Sequence, residues 1–134
     1  MASAHPPDLL GLVYAAAVDN SMWPAFCNEL NRQTDAPVKL FGHSVDTHRS
    51  LGLIGAGWDP DGLQTYHDYF AELNPWMRMN VAMQPGMVGV SDMALPRQEL
   101  FRTEFYNDWL RHQENIVAGP AMICYRSASN YVAA

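Results

Sequence analysis

The chain has 134 residues, 49% of them hydrophobic and only 16% charged, and its 14 acidic and 8 basic side chains leave a net charge of −6. That length can bury a core without metal or disulfide staples, and the low charge predicts surface covered by a second domain or a second copy. Lys39 is the sole lysine and no Lys/Arg cluster occurs, which argues against duplex binding by this chain, since displacing counterions from phosphates needs gathered cations.

Asp8, after the Pro6-Pro7 breaker, predicts the cap of a first helix with Leu9, Val13, Ala16 and Ala17 at helical spacing. Asp19-Asn20-Ser21 stops it and offers the next cap. A second helix has Pro24 in its first turn and Trp23, Phe26, Cys27 and Leu30 on one stripe, and Asp35-Ala36-Pro37 ends it. The period then changes to that of strands, Val38 to Val45 and Leu51 to Trp58, joined by the polar turn Asp46 to Ser50. Gly52, Gly55 and Gly57 weaken the second strand and predict close approach by another group.

A third helix follows Asp59-Pro60-Asp61, with Leu63, Tyr66, Phe70 and Leu73 on one stripe and Pro75 ending it. Residues 76 to 96 read as irregular and Met-rich, with a short strand at Met87 to Val90. Pro96 opens a helix from Arg97 to about Gln113. Ile116 to Tyr125 is strand-like, Arg126 to Asn130 a turn, and Tyr131 to Ala134 the start of a returning strand. So short a last arm predicts a scarcely paired edge and a chain truncated at its C-terminal part. Hairpin-linked strands among helices predict an α+β fold, a central antiparallel sheet with flanking helices, built as a single domain over 1–134.

The two cysteines, Cys27 and Cys124, sit in apolar contexts and read as buried free thiols of a reducing compartment. Met1 to Pro7 lacks the basic and apolar regions of a signal peptide, and no stretch approaches the ~20 apolar residues of a membrane span. The expected location is cytoplasmic, away from membranes.

Catalytic signals are sparse. His43, His48 and His67 form no His-Glu-x-x-His pattern, and no Cys-x-x-Cys occurs, so neither a metal nor another cofactor is expected. Asp59 and Asp61 read as helix caps, Gly55-Ala56-Gly57 lacks a phosphate-binding surround, and no serine lies in a nucleophile elbow. Asp108 and His112 are four apart on the late helix, a spacing that suits a surface hydrogen bond as readily as an acid–base dyad. No catalytic residue is assigned, and an enzyme built on that pair is the third reading.

The aromatics say more. Phe101, Phe105 and Trp109 form an i, i+4, i+8 stripe widened by Tyr106 and Leu110, with Phe105 and Trp109 expected to face the sheet and Asp108, Arg111 and His112 the solvent. Core packing explains any one of them. Aromatics, methionines and strand glycines together suggest an apolar cavity with a few hydrogen-bonding groups. The candidate ligand-binding residues are Phe41, Trp58, Tyr66, Tyr69, Trp76, Phe105, Tyr106 and Trp109.

Three segments are similar to a known family. "LLGLVYAAAVDNSMWPAF" (9 to 26) resembles the opening of bacterial LuxR-type transcriptional regulators, and "GWDPDGLQTYHDYFAELNPWMR" (57 to 78) resembles their next block. "GMVGVSDMALPRQELFRTEFYNDWLRHQ" (86 to 113) is the most specific match. The resemblance implies a PAS/GAF-like N-terminal sensor domain, whose helix-turn-helix DNA-binding domain is absent from this chain. It is more distantly similar to autoinducer-binding domains, where Tyr66 stands for a ligand-contacting Tyr and Asn74, before Pro75, occupies an Asp-like place. No Trp falls at the corresponding upstream spacing, so the ligand stays unnamed. The expectation is a small-molecule sensing domain for a largely apolar or amphipathic ligand, working as a homodimer; a structural dimerisation module without a ligand is the second reading.

Overall fold

The computed structural model describes residues 8–113 and 116–134; the Pro6-Pro7 breaker lies outside them. They form two compact units, one from the residues up to Lys39 with Ile54–Trp58, the other from Leu40–Leu53 with Asp59–Ala134. The architecture is α+β, with a five-stranded antiparallel sheet and flanking helices, a layout consistent with a PAS/GAF-like domain.

In the first unit, α1 (Leu9–Val18) is capped by Asp8, whose Oδ1 accepts from the Leu10 amide. Asp19 caps a 3₁₀ turn, Asn20–Met22, that leads into α2 (Trp23–Thr34). α2 ends at Asp35 in the left-handed region (φ 51°), and Asn31 Nδ2 holds the exit by donating to the Ala36 carbonyl at 2.7 Å. Gly57 (φ 79°) is required here, because the Asn31 amide and the Pro37 backbone fill the space of a Cβ. Of the four apolar residues at helical spacing on α1, only Ala16 is buried; Val13 joins Leu10, Tyr14 and Val18 on an exposed face. Cys27 is buried.

β1 (Val38–Ser44) and β2 (Ser50–Ala56) form the expected hairpin, and α3 (Pro60–Asp68) starts at Asp59, whose Oδ2 accepts from the Gly62 amide. The third helix is shorter than its stripe predicts. It breaks at Tyr69 (φ −141°) and resumes as a 3₁₀ turn, Phe70–Leu73, because Pro75 demands extended backbone at Asn74.

The Met-rich stretch is more ordered than expected: α4 (Met77–Ala82), β3 (Val88–Val90) and α5 (Ser91–Ala94) lie within it. Met77 and Met83 join the core with Phe41, Ile123, Tyr131 and Ala133, while Met87 and Met93 stay exposed. Gly89 faces the sulfurs of Met79 and Met83, each only 2.8 Å from where a Cβ would sit.

The long helix expected from Arg97 to Gln113 is not continuous. It is divided into α6 (Arg97–Leu100), a π-helical turn Phe105–Trp109 and a 3₁₀ turn Leu110–His112. Side chains cause the division. Thr103 Oγ1 donates to the Leu100 carbonyl and accepts from the Tyr106 amide, while Asn107 Nδ2 binds the carbonyls of Phe101 and Thr103. These local bonds compete with the helical ladder and win. The aromatic stripe is therefore broken: Phe105, Trp109 and Leu110 are buried, but Phe101 is 43% exposed.

β4 (Pro120–Arg126) starts later than predicted, and β5 (Asn130–Ala133) is no edge. The strand order is β2-β1-β5-β4-β3, so the last strand is central, with Ala133 opposite both Phe41 and Ile123. A register shift between Ile123 and Tyr125 marks a bulge at Cys124, which is exposed rather than buried as expected.

Two outcomes check this account. Leu100→Ala should cost roughly 2–5 kcal/mol in denaturant unfolding, while Phe101→Ala should cost about 1 kcal/mol or less. A continuous helix with Phe101 on its core stripe would reverse that order. In the first unit, bonds from Arg32 and Gln33 lower the Glu29 pKa from 4.5 to about 2. A depressed carboxylate stabilises the fold above its unfolded pKa and loses that contribution as pH falls towards 2. Glu29→Gln should therefore flatten the fall of the melting temperature between pH 4.5 and about 2.

Candidate functional site

The inner face of the sheet in the second unit carries Phe41 and His43 from β1, Ile123 from β4, and Tyr131 and Ala133 from β5, all buried. Pairing puts His43 opposite Tyr131, and their rings stack at 5.6 Å with planes 15° apart. Phe41 meets the His43 ring edge-on at 5.1 Å.

A second aromatic group continues from Tyr66. Its ring lies 5.0 Å from Trp109 and 6.4 Å from Phe105; Trp109 stacks on Phe70 at 6.3 Å, and Trp76 meets Phe105 edge-on at 5.8 Å. Trp109 Nε1 donates to the Gly62 carbonyl at 2.8 Å. Gly62 suits this close approach, because the Gln113 side-chain amide occupies the place of any Cβ there.

A directional line of hydrogen bonds joins the two groups. Asn74 Oδ1 accepts from the Trp76 amide at 2.9 Å, which turns Nδ2 towards Tyr66. Nδ2 donates to Tyr66 Oη at 2.9 Å, and Oη lies 2.8 Å from His43 Nε2. With its oxygen accepting from Asn74, the Tyr66 hydroxyl is best used as a donor to Nε2. Burial raises the Tyr66 pKa, so the phenol keeps its proton at neutral pH.

Beyond His43, burial pushes the Tyr131 phenol up to about 12. The nearby Asn80 amide pulls that value down, yet among the described residues neither Tyr131 Oη nor Asn80 Oδ1 has a hydrogen-bond partner within bonding geometry. Both residues are buried, at 0% and 3% exposure, so two polar atoms lie unmatched beside the aromatic core.

The structure thus gathers Phe41, Tyr66, Trp76, Phe105 and Trp109 around one core. The other candidates lie elsewhere. Tyr69 is exposed and its hydroxyl donates to Glu104 at 2.7 Å; Tyr106 packs on Phe101 at 4.7 Å. Trp58 belongs to the first unit, where Nε1 donates to the Val38 carbonyl at 3.0 Å and Lys39 Nζ lies 5.7 Å from its ring. Sequence reasoning did not single out His43, Asn80 and Tyr131 as members of this core. Strand alternation held the signal for two of them, since His43 lies two residues from Phe41 and Tyr131 two from Ala133. Asp108, Arg111 and His112 are exposed. Among the described residues no group of three or more His, Cys, Asp or Glu side chains could hold a metal ion, and no helix is long and apolar enough to cross a membrane.

Comparison with protein-family models, with curated proteins and with solved structures gives no match to this chain.

The polar line predicts its own cost of disruption. Tyr66→Phe strands two buried partners and should lose roughly 1–3 kcal/mol in unfolding experiments. Asn74→Asp replaces the donor by a buried carboxylate whose pKa rises, so the folded state binds the proton more tightly than the unfolded one. Its deficit should be largest at neutral pH and shrink as pH falls towards about 4. A deficit independent of pH would refute the assigned bond direction.

Proposed function

We propose that the chain is a small-molecule sensing domain of a LuxR-type transcriptional regulator, cytoplasmic and homodimeric, that signals by a change of conformation. Its ligand is small and largely apolar, flat enough to lie among the aromatic rings, with one group that hydrogen-bonds Tyr131 and Asn80. DNA is reached only through a helix-turn-helix domain outside this chain. The work is binding, with no covalent chemistry and no part for Asp108 or His112.

The observation that carries this reading is the pair of buried, unmatched atoms, Tyr131 Oη and Asn80 Oδ1, beside an aromatic core. An unpaired buried polar group costs about 1–3 kcal/mol, which a core built for stability alone avoids. A ligand that donates to Asn80 Oδ1 and accepts from the Tyr131 hydroxyl removes the cost on binding. A hydroxyl or carboxamide group has both capacities.

A second reading, a structural dimerisation module without a ligand, draws on the exposed apolar residues Leu10, Tyr14 and Val18 of α1.

Native and denaturing mass spectra of protein purified from its host decide between them. The sensing reading expects a small molecule retained in the native spectrum and released on denaturation, with retention lost in Tyr131→Phe and unchanged in Asp108→Asn. Bare protein in the native spectrum sinks it.

A further inference from the structure

The outer face of the sheet in the second unit is as apolar as the inner one, but open. Leu51, Val88, Val90, Met122 and Tyr125 are 41–63% exposed on it, with partly buried Val132 among them. Pairing fixes their places. Gly42 lies beside Leu51 and opposite Val132, Val132 opposite Tyr125, and Met122 opposite Val88. None of these residues is charged, although the chain carries a net charge of −6. Two like-charged copies repel least when they meet through such a patch.

We propose that two copies of this chain pack sheet against sheet through this face, about a two-fold axis running along β5. The row Gly42–Val132–Tyr125 supports that axis. Tyr125 and Gly42 flank Val132, each one strand away, at about 4.8 Å. A two-fold along β5 exchanges those two positions across the interface. The Tyr125 ring of each copy then enters the notch left by the missing side chain of the other copy's Gly42, the reciprocal contact that an isologous dimer requires. A Cβ at Gly42 would meet Leu51 at 3.5 Å and the Tyr131 carbonyl at 3.8 Å, ordinary contacts, so the fold itself does not demand glycine there. The notch is explained by what enters it from outside.

The area is sufficient. The exposed parts of these side chains amount to roughly 500 Å² per copy, so a pair buries about 1,000 Å² in all, the size at which specific interfaces begin. Sheets packed face to face interdigitate at about 10 Å with strands nearly aligned.

This proposal rests on the regulatory reading for its purpose, but its readout is mass in solution. A protein that retains no ligand leaves it standing, and a monomer leaves the ligand reading standing. Sedimentation equilibrium of the full chain across micromolar concentrations is the test, with Gly42→Val filling the notch and Tyr125→Lys setting a charge in it. The expected result is a dimer whose dissociation constant rises roughly tenfold or more in each variant, while each still melts cooperatively. If one variant fails to fold, the other carries the test. A monomer at every concentration overturns the proposal, and so does a dimer that folded variants leave intact, since another surface such as the α1 face would then be the interface.

Discussion

The second unit depends on one short strand. β5 has only four residues, yet it pairs with β1 on one side and β4 on the other. Because side chains alternate along a strand, that insertion fixes two things together. Tyr131 and Ala133 go inward, which sets Tyr131 under the His43 ring and closes the core around Ile123. Val132 goes outward, between Gly42 and Tyr125. A slip of one residue would exchange the two faces and lose both the stack and the core.

The polar line depends on a different local constraint. Pro75 forces the residue before it into extended backbone, so Asn74 leaves the 3₁₀ turn with its side chain free to serve other groups. A carboxamide can accept from the Trp76 amide with one atom and donate to Tyr66 with the other; a carboxylate can only accept. The identity at that position therefore decides the direction of every bond that follows, through the Tyr66 hydroxyl to His43. Buried polar lines rigidify a core through their matched members. This one is bonded from Trp76 through Asn74 and Tyr66 to His43 Nε2 and gives way, past the His43 ring, to the unmatched atoms of Tyr131 and Asn80.

Much of this was legible in the sequence, and what was not has identifiable causes. Asp8, Asp19 and Asp59 cap where their spacing to the first turns predicts, and the polar run after Ser44 makes the hairpin. These are local effects. The division of residues 97–113 was not legible, because Thr103 and Asn107 are unremarkable in a helix until their side chains are seen to take its carbonyls. The central place of β5 rests on pairing with residues some ninety positions earlier, which no local pattern encodes. Of the site, the ring types were legible but their grouping was not. Tyr69 and Phe101 look like their buried neighbours in sequence, and only the breaks at Tyr69 and after Leu100 turn them outward.

Those same breaks bear on how a sensing domain would move. A continuous helix resists bending through its whole ladder of bonds, whereas short turns held by side chains can rearrange one at a time. The π turn Phe105–Trp109 is joined to the first turn of α3 by the Trp109–Gly62 bond, and α3 carries Tyr66 one helical turn further on. In the proposed role, a ligand at Tyr131 and Asn80 acts on His43 through ring stacking, on Tyr66 through the His43 bond, and on the π turn through the tyrosine–tryptophan contact. A ligand shifts such a chain only by binding one arrangement better than another. In the proposed role the unmatched pair would supply that difference, since a ligand that binds both atoms removes their cost. Sheet strands β1 and β5 carry the other end of the same contacts, since His43 and Tyr131 alternate with Gly42 and Val132 on the opposite face. Any change of stacking that tilts those strands would reach the open face without a separate transmitting element.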